Sequence, residues 1–120
     1  MNVTVVGCGH VGLVTGVAFA ALGHNVTGID ISPERVDLIN SGRPPFYEPG
    51  LEQALKTVMR EGTFRCTTDF GSAAKDDVVM LCVGTPSASD GSIDLSILRG
   101  AVTQAVQSLQ SGDHYQVVSV

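Results

Sequence analysis

Three glycines near the amino terminus, Gly7, Gly9 and Gly12, have the spacing G-x-G-x-x-G, which suits the binding of a diphosphate. Gly7 permits a tight bend after an apolar run, Gly9 lets backbone N–H groups approach the phosphates, and Gly12 lets a helix pack closely. The amino end of that helix would supply unpaired N–H donors and a partial positive charge. Glycine makes up 14 of the 120 residues, so the spacing is specific only in its context.

An acidic residue at the end of the next predicted strand supports the same interpretation. Residues 25–29 form a second strand-like run that leads to Asp30, about 20 residues beyond the glycines. At this position a carboxylate accepts hydrogen bonds from the adenosine ribose and repels the 2′-phosphate of NADP. The sequence therefore predicts an NAD site, although Arg35, near the same ribose, would soften the discrimination against NADP.

Two further polar residues have less specific positions. Thr85 follows the uninterrupted apolar run at residues 78–83, and ligands gather at the carboxyl ends of such strands in open α/β sheets. It is equally well placed as an ordinary turn residue before Pro86. Arg35, taken alone, is more typical of a solvated surface cation. Both residues therefore need other observations before they can be assigned to a site.

Composition and charge narrow the class of protein. The 120 residues suit one domain, and an apolar fraction of 43% with only 5% aromatic residues suits an aliphatic core. A formal net charge of −5 without a basic cluster argues against nucleic-acid binding. The sequence has no leader pattern and no apolar run long enough for a bilayer, so we expect no membrane association and a cytoplasmic location.

The three cysteines, Cys8, Cys66 and Cys82, include no C-x-x-C pair. This spacing predicts neither a zinc site nor a disulfide framework, which agrees with a reducing cytoplasm. Cys8 occupies a variable position of the glycine motif, and the other two fall in predicted strands. We therefore expect Cys66 and Cys82 to be small core residues.

The elements that must position these residues alternate between strand and helix. The first helix is predicted at residues 10–22, with two sets of residues at helical spacing. One set is a small-residue ridge for close packing on the sheet: Gly12, Gly16 and Ala20. The other set is apolar: Val11, Val14, Ala18 and Ala21.

Two more helices are predicted before the third strand. Ser32 and Pro33 are typical of an N-cap and a first helical residue, and the helix at 33–40 is predicted to turn three apolar residues inward: Val36, Leu38 and Ile39. A second helix at 51–60 would bury Leu51, Leu55 and Val58. Between them, residues 43–50 form a turn-rich insertion that either caps the sheet edge or reaches a partner domain.

The remaining elements complete a parallel sheet. Strands are predicted at residues 64–67, 78–83 and 116–120, with a helix capped by Asp94 or Ser96 before the last. The apolar positions of that helix are Leu98, Ala101, Val102, Ala105, Val106 and Leu109, and Gly112 lies beyond its end. The order of elements implies right-handed crossovers and an α/β fold of the Rossmann type, a doubly wound parallel sheet with strand order 3-2-1-4-5.

Four segments resemble the NAD-binding domain of the UDP-glucose/GDP-mannose dehydrogenase family. They are residues 7–16, 23–30, 40–51 and 83–86, and together they span almost the whole chain. The run Tyr47-Glu48-Pro49-Gly50-Leu51, followed at a distance by residues 83–86, is more specific than the glycine motif. We therefore expect residues 1–120 to be one NAD-binding domain, truncated before the rest of a longer enzyme.

The resemblance also implies roles for individual residues. His10 and Val11 would line the pyrophosphate turn, Asp30 would hold the adenosine ribose with Arg35 beside it, and Thr85 would contact the cofactor from the fourth strand. One departure is visible, because the family usually has Tyr where this chain has His10. That change leaves a backbone role intact and puts any contact from the ring in doubt.

The activity that the resemblance implies belongs to the whole enzyme. Family members oxidise the C6 alcohol of a UDP- or GDP-linked hexose to a uronate in two hydride transfers to NAD. Their Cys nucleophile and its Lys, Asn and Asp partners lie in later domains and match no position here, so this chain is expected to lack the catalytic residues. The implied partners are a nucleotide-sugar substrate and, for the full-length parent, further copies of itself in a homo-oligomer.

Two alternatives remain open from the sequence. The domain would also suit a related hydroxyacid or hydroxyacyl-CoA dehydrogenase, which shares the same first domain but needs no Cys nucleophile. It would otherwise be a non-catalytic nucleotide-binding module, although an exposed final strand would then leave apolar surface without a partner.

Overall fold

The computed structural model describes residues 1–73, 76–84, 86–108 and 116–120. They form one five-stranded sheet with the order β3-β2-β1-β4-β5, in which all four pairings are parallel. The strands are β1 (Asn2–Val6), β2 (Asn25–Ile29), β3 (Phe64–Thr67), β4 (Val78–Leu81) and β5 (Val117–Ser119). The predicted strand order is therefore confirmed.

Helices cover both faces of the sheet, as a doubly wound fold requires. They are α1 (His10–Ala21), α2 (Pro33–Asn40), α3 (Leu51–Arg60) and α4 (Ser96–Ser108), with a short 3₁₀ turn at Phe70–Ala73. Helices α1, α2 and α3 share one core with Val3 and Val5 of β1. Helix α4 packs on the other face, where Ala101 and Ala105 are buried with Val79 and Leu81.

The face that α1 presents to the sheet differs in part from the prediction. The ridge of Gly12, Gly16 and Ala20 is buried as predicted, together with Leu13 and Val17. Of the second apolar set, Val14 is half-buried and packs against the core, whereas the others are exposed: Val11, Ala18 and Ala21. A Cβ at position 16 would lie only 3.1 Å from the Phe64 ring, so the small residues must face the sheet.

The start of α2 is confirmed, and one of its predicted core residues is corrected. The Ser32 hydroxyl accepts a hydrogen bond from the backbone N–H of Arg35 at 3.2 Å, which makes Ser32 the N-cap. Val36 and Ile39 are buried, whereas Leu38 is exposed because it points away from the sheet side of this short helix.

The buried residues predicted for α3 are confirmed, and those of α4 only in part. Leu51, Leu55 and Val58 are all buried. At the start of α4 the Asp94 carboxylate accepts a hydrogen bond from the N–H of Ser96, the first helical residue. Val106 of this helix is half exposed, whereas it was predicted to be buried. Leu109 and Gly112 lie outside the described residues.

Backbone hydrogen bonds continue beyond the carboxyl ends of three strands and fix the residues that follow them. Gly7 N–H donates to Ile29 O at 2.7 Å, Asp30 N–H donates to Thr67 O at 3.1 Å, and Cys82 N–H donates to Val6 O at 2.7 Å. Gly7, Asp30 and Cys82 therefore lie side by side along one edge of the sheet. In the described part of the chain, no helix has the length and apolar character needed to cross a bilayer.

Candidate functional site

Gly7 has a steric reason within the fold to be glycine. Its φ of +94° lies in the left-handed region that residues with a Cβ rarely adopt. A Cβ at this position would also lie 2.7 Å from the carbonyl oxygen of Cys82. The bend after β1 is therefore pressed against the end of β4, and only glycine fits there.

Gly12 is also required by internal packing. A Cβ at Gly12 would lie 1.8 Å from the carbonyl oxygen of Gly7. Because that oxygen belongs to the backbone, rotation of a side chain cannot relieve the overlap. The first turn of α1 thus packs directly on the bend after β1. The roles predicted for Gly7 as the tight bend and for Gly12 as the close contact agree with this geometry.

Gly9 differs from the other two glycines because nothing in the described residues requires it. Its φ of −75° and ψ of −161° are open to any residue, and an added Cβ would meet no atom within 4 Å. Gly9 is the N-cap of α1, and among the described residues no side chain caps this helix end and none in its first turn is acidic. The amino end of α1 therefore offers backbone donors and free space to an external anion.

Asp30 places a buried carboxylate next to this helix end. Its side chain is only 6% exposed. One oxygen accepts the N–H of Ser32 at 3.0 Å, and the other accepts both the N–H of Cys8 at 2.9 Å and a guanidinium N–H of Arg35 at 3.2 Å. A carboxylate has about four acceptor positions, so capacity remains for a hydroxyl donor.

The Arg35 side chain is about half exposed. Its guanidinium pairs with Asp30, whose own side chain is almost fully enclosed. Because the pair is partly solvated, Arg35 can exchange this bond for a ligand atom at little cost. The structure thus brings together Gly9, Asp30 and Arg35 as the sequence predicted.

A cleft of about 550 Å³ opens at this edge of the sheet, and its two sides differ chemically. The polar side contains Gly7, Gly9, Asp30 and Arg35. The other side is apolar and includes Ile31, Phe70, Val83 and Ile97. Ile31 is 81% exposed, so its apolar surface is available to a ligand in the cleft. The cleft therefore suits a ligand with anionic, hydroxyl and apolar parts.

His10 and Val11 begin α1, but their side chains lie outside this cleft. The His10 Nε2 atom is 3.0 Å from a Glu48 carboxylate oxygen, and its ring centroid is 4.8 Å from that of Phe46. Val11 is 66% exposed. Both residues can therefore contact a ligand in the cleft through their backbone N–H groups, whereas the His10 ring contacts the insertion at residues 43–50.

The sequence profile of the UDP-glucose/GDP-mannose dehydrogenase family, in its NAD-binding domain, matches residues 1–120. The chain belongs to this family. The resemblance predicted from the four motifs is confirmed, and the domain is an NAD-binding domain.

Relatives in this family include both kinds of enzyme in its name. A GDP-mannose 6-dehydrogenase of Pseudomonas syringae pv. tomato is 43% identical over 99 residues, which are 82% of this chain and 23% of the relative. A UDP-glucose 6-dehydrogenase of Bacillus subtilis is 37% identical over 111 residues, which are 92% of this chain and 25% of the relative. The chain thus spans about a quarter of the length of these enzymes.

Solved structures of family members have the same fold. A ternary complex of GDP-mannose dehydrogenase from Pseudomonas aeruginosa superposes with a TM-score of 0.95 at 37% identity, over 98% of this chain and 27% of that one. A UDP-glucose dehydrogenase from Pyrobaculum islandicum gives a TM-score of 0.92 at 36% identity, again over 98% of this chain and 27% of its own. The Rossmann-type fold is therefore shared with the NAD-binding part of these enzymes.

Thr85, predicted to contact the cofactor, lies outside the described residues. Its neighbour Gly84 lines the cleft, as does Cys82. Burial raises the pKa of the Cys82 thiol, so this sulfur stays protonated at neutral pH and is a poor nucleophile. Cys82 is half-buried and Cys66 fully buried, so the prediction that both are small core residues holds for Cys66 and only partly for Cys82.

Two contacts of the site were not foreseen from the sequence. Glu48 and Phe46 contact His10 across 38 and 36 positions of the chain, and no local pattern connects them. Ile31, which follows the carboxyl end of β2, and Ile97, in the first turn of α4, also flank the cleft. A signal for Ile31 existed in principle, because an apolar residue directly after Asp30 lies beyond the carboxyl end of β2, where the predicted site opens.

Proposed function

We propose that this chain is the NAD-binding part of a nucleotide-sugar 6-dehydrogenase, which oxidises the C6 alcohol of a UDP- or GDP-hexose to a uronate. The bound NAD would accept a hydride in each of two successive steps. One observation supports the cofactor site above all others. Gly9 leaves unfilled space at the uncapped amino end of α1, directly beside the buried carboxylate of Asp30.

Each part of NAD has a counterpart in the cleft. The diphosphate would accept hydrogen bonds from the backbone N–H groups at the start of α1, where His10 and Val11 follow Gly9. The adenosine ribose would donate its hydroxyls to Asp30, and the adenine would lie against Ile31 and Ile97. Thr85 remains our candidate for a further contact from the end of β4.

The surroundings of Asp30 favour NAD over NADP. The carboxylate is enclosed by Cys8, Ser32 and Arg35, so it has little freedom to turn away from an incoming 2′-phosphate. Repulsion between the Asp30 carboxylate and the 2′-phosphate would oppose the binding of NADP. Arg35 would offset part of that repulsion, and we propose a preference for NAD that is strong but incomplete.

The nucleophile and the sugar-binding groups are proposed to lie in other parts of the enzyme. Cys8 and Cys66 are buried against each other, and Cys82 is held as a neutral thiol. The relatives named above are about four times longer than the region that they share with this chain. The free thiols suit a reducing compartment, so we also propose a cytoplasmic location.

The nature of the relatives favours a nucleotide sugar over a hydroxyacid or a hydroxyacyl-CoA. Enzymes for GDP-mannose and for UDP-glucose match this chain at 43% and 37% identity. The two enzymes differ in both base and hexose, and the contacts proposed above for NAD would involve neither. Which nucleotide sugar is used therefore depends on residues beyond this cleft.

A calorimetric titration with NAD and with NADP tests the cofactor proposal. We expect saturable binding of one NAD per chain, weaker binding of NADP, and a rise of at least about tenfold in the Kd for NAD in Asp30→Ala. Asp37→Ala is the matched control, because Asp37 is an exposed carboxylate on α2 and its variant should bind within about twofold of the parent. Absence of saturable binding, or an Asp30→Ala variant that binds like the parent, would overturn the proposal.

A further inference from the structure

Two buried thiols meet beneath the glycine-rich turn. Cys8 lies in the turn between Gly7 and Gly9, and Cys66 lies in β3. Their sulfur atoms are 3.7 Å apart, and the two residues are 1% and 6% exposed. The contact joins the turn to a strand 58 positions further along the chain.

A glycine in the strand between them makes room for this contact. Gly28 of β2 is the register partner of Cys66 in β3. A Cβ at Gly28 would lie 2.8 Å from the Cys8 sulfur and 3.5 Å from the Cys66 sulfur. Glycine weakens the interior of a strand, so its presence here is explained by the space that the two sulfurs occupy.

The two thiols are chemically unequal. The hydrogen bond with Cys66, together with burial, raises the pKa of Cys8 above its ordinary value. The same hydrogen bond lowers the pKa of Cys66. Cys66 is therefore the sulfur that more readily becomes a thiolate, and Cys8 is the one that keeps its proton. Such a pair has an attacking sulfur and a resolving sulfur within reach of each other, and because both are buried, peroxide reaches them when the turn opens locally.

We propose that Cys8 and Cys66 are an oxidation site, at which hydrogen peroxide forms a disulfide that weakens the binding of NAD. The Cys66 thiolate attacks one peroxide oxygen and the O–O bond breaks. Cys66 becomes a sulfenic acid, and the leaving hydroxide takes up the proton that the Cys66 thiol lost. The Cys8 sulfur then attacks the Cys66 sulfur, the S–O bond breaks, and the oxygen leaves as water with the Cys8 proton. Two thiols lose two electrons in total, and the peroxide is reduced to two waters.

The link to NAD follows from which of the two residues can move, and it rests on the proposed function. A disulfide needs the sulfurs at about 2.05 Å, so one side must approach the other. The backbone of Cys66 is held on both sides by the Asn40 amide, which donates to its carbonyl at 2.9 Å and accepts its N–H at 3.1 Å. The movement therefore falls on Cys8 and its turn.

That movement would disturb both halves of the cofactor site. The N–H of Cys8 donates to the Asp30 carboxylate at 2.9 Å, and Gly9 follows directly in the chain. A shift of Cys8 toward β3 would move the backbone N–H groups at the start of α1 and the Asp30 carboxylate together. Oxidation is therefore expected to weaken NAD binding without unfolding the sheet.

The purified chain, treated with hydrogen peroxide, provides the test. Peptide mapping without reductant should show a cross-link between the tryptic peptides that contain Cys8 and Cys66, with a mass loss of about 2 Da. The Kd for NAD should rise at least about tenfold and recover after dithiothreitol. Cys66→Ser should abolish both effects, whereas Cys82→Ser, which removes the third thiol, should retain the cross-link between Cys8 and Cys66.

Three outcomes would overturn this inference. They are no cross-link between Cys8 and Cys66, a cross-link that contains Cys82 instead, and a Cys8–Cys66 disulfide with unchanged NAD affinity. Thermal melting of each variant establishes that the chain is folded during the test. If the reduced chain fails to bind NAD at all, the proposed function fails, while the cross-link still decides whether the thiols form an oxidation site.

Discussion

Gly7, Gly9 and Gly12 have one sequence signature, but they lack side chains for different reasons. Gly7 and Gly12 face backbone atoms of the fold itself at 2.7 Å and 1.8 Å from an added Cβ. Gly9 faces open space in the cleft. Among the described residues only the middle glycine lacks a steric reason within the fold, and the proposed cofactor would supply one, so the three residues should respond differently to the same substitution.

Alanine at these positions separates binding from folding. Gly9→Ala should keep the free energy of unfolding within about 1 kcal/mol of the parent, since its backbone angles suit alanine, and should weaken NAD binding at least about tenfold. Gly12→Ala should lose more than about 2 kcal/mol of stability, because two backbone segments must separate. Denaturant unfolding and calorimetry measure the two effects. Equal stability losses in both variants would contradict this assignment.

The sequence was sufficient for the residues whose roles depend on local spacing. The position of Asp30 at the end of β2, and that of Gly9 at the start of α1, follow from the strand-turn-helix pattern. The contact of His10 with Glu48 and that of Cys8 with Cys66 join residues 38 and 58 positions apart. Side-chain contacts of this kind depend on tertiary packing, and no local pattern predicts them.

Helix α1 shows how close packing selects one face of an element. Two sets of residues recur at helical spacing, and periodicity alone does not choose between them. The small residues face the sheet because the Phe64 ring and Val26 approach Gly16 to within 3.1 Å and 3.5 Å of an added Cβ. The element and its bounds were predictable, whereas the orientation of Val11, Ala18 and Ala21 was not.

A valine at Gly16 tests the closeness of this packing. Gly16→Val should cost about 2–3 kcal/mol of stability, since its methyl groups would overlap the Phe64 ring and move α1 away from β2. Ala18→Val places the same side chain on the exposed face of the same helix and should cost less than about 1 kcal/mol. Urea unfolding compares the two variants, and similar losses in both would show that α1 does not depend on this contact.

At the scale of the whole molecule, the parallel sheet determines where the site lies. Because all strands run in one direction, their carboxyl ends meet at one edge and bring Gly7, Asp30 and Cys82 together. This arrangement was predictable from the alternation of strands and helices. The insertion at residues 43–50 was recognised as extra to that pattern, and its contact with α1 through Glu48 emerged only from the structure.

The proposed division of roles between this chain and the rest of the enzyme predicts the result of an activity assay. With NAD and either UDP-glucose or GDP-mannose, the chain should form no NADH, because Cys82, the thiol at the cleft, is protonated. NADH fluorescence measures this, with a full-length GDP-mannose 6-dehydrogenase as the positive control. Sustained NADH formation that disappears in Cys82→Ser would place the nucleophile in this chain and contradict the proposal.

The most direct test of the cofactor site is a titration of the ¹⁵N-labelled chain with NAD, followed by the backbone amide resonances. We expect the largest changes at Gly9, His10, Val11 and Asp30, and unchanged amide resonances at residues 62–65, at the opposite edge of the sheet. A titration that leaves the amides at the start of α1 unchanged, or whose largest changes occur at that opposite edge, would contradict the proposed site.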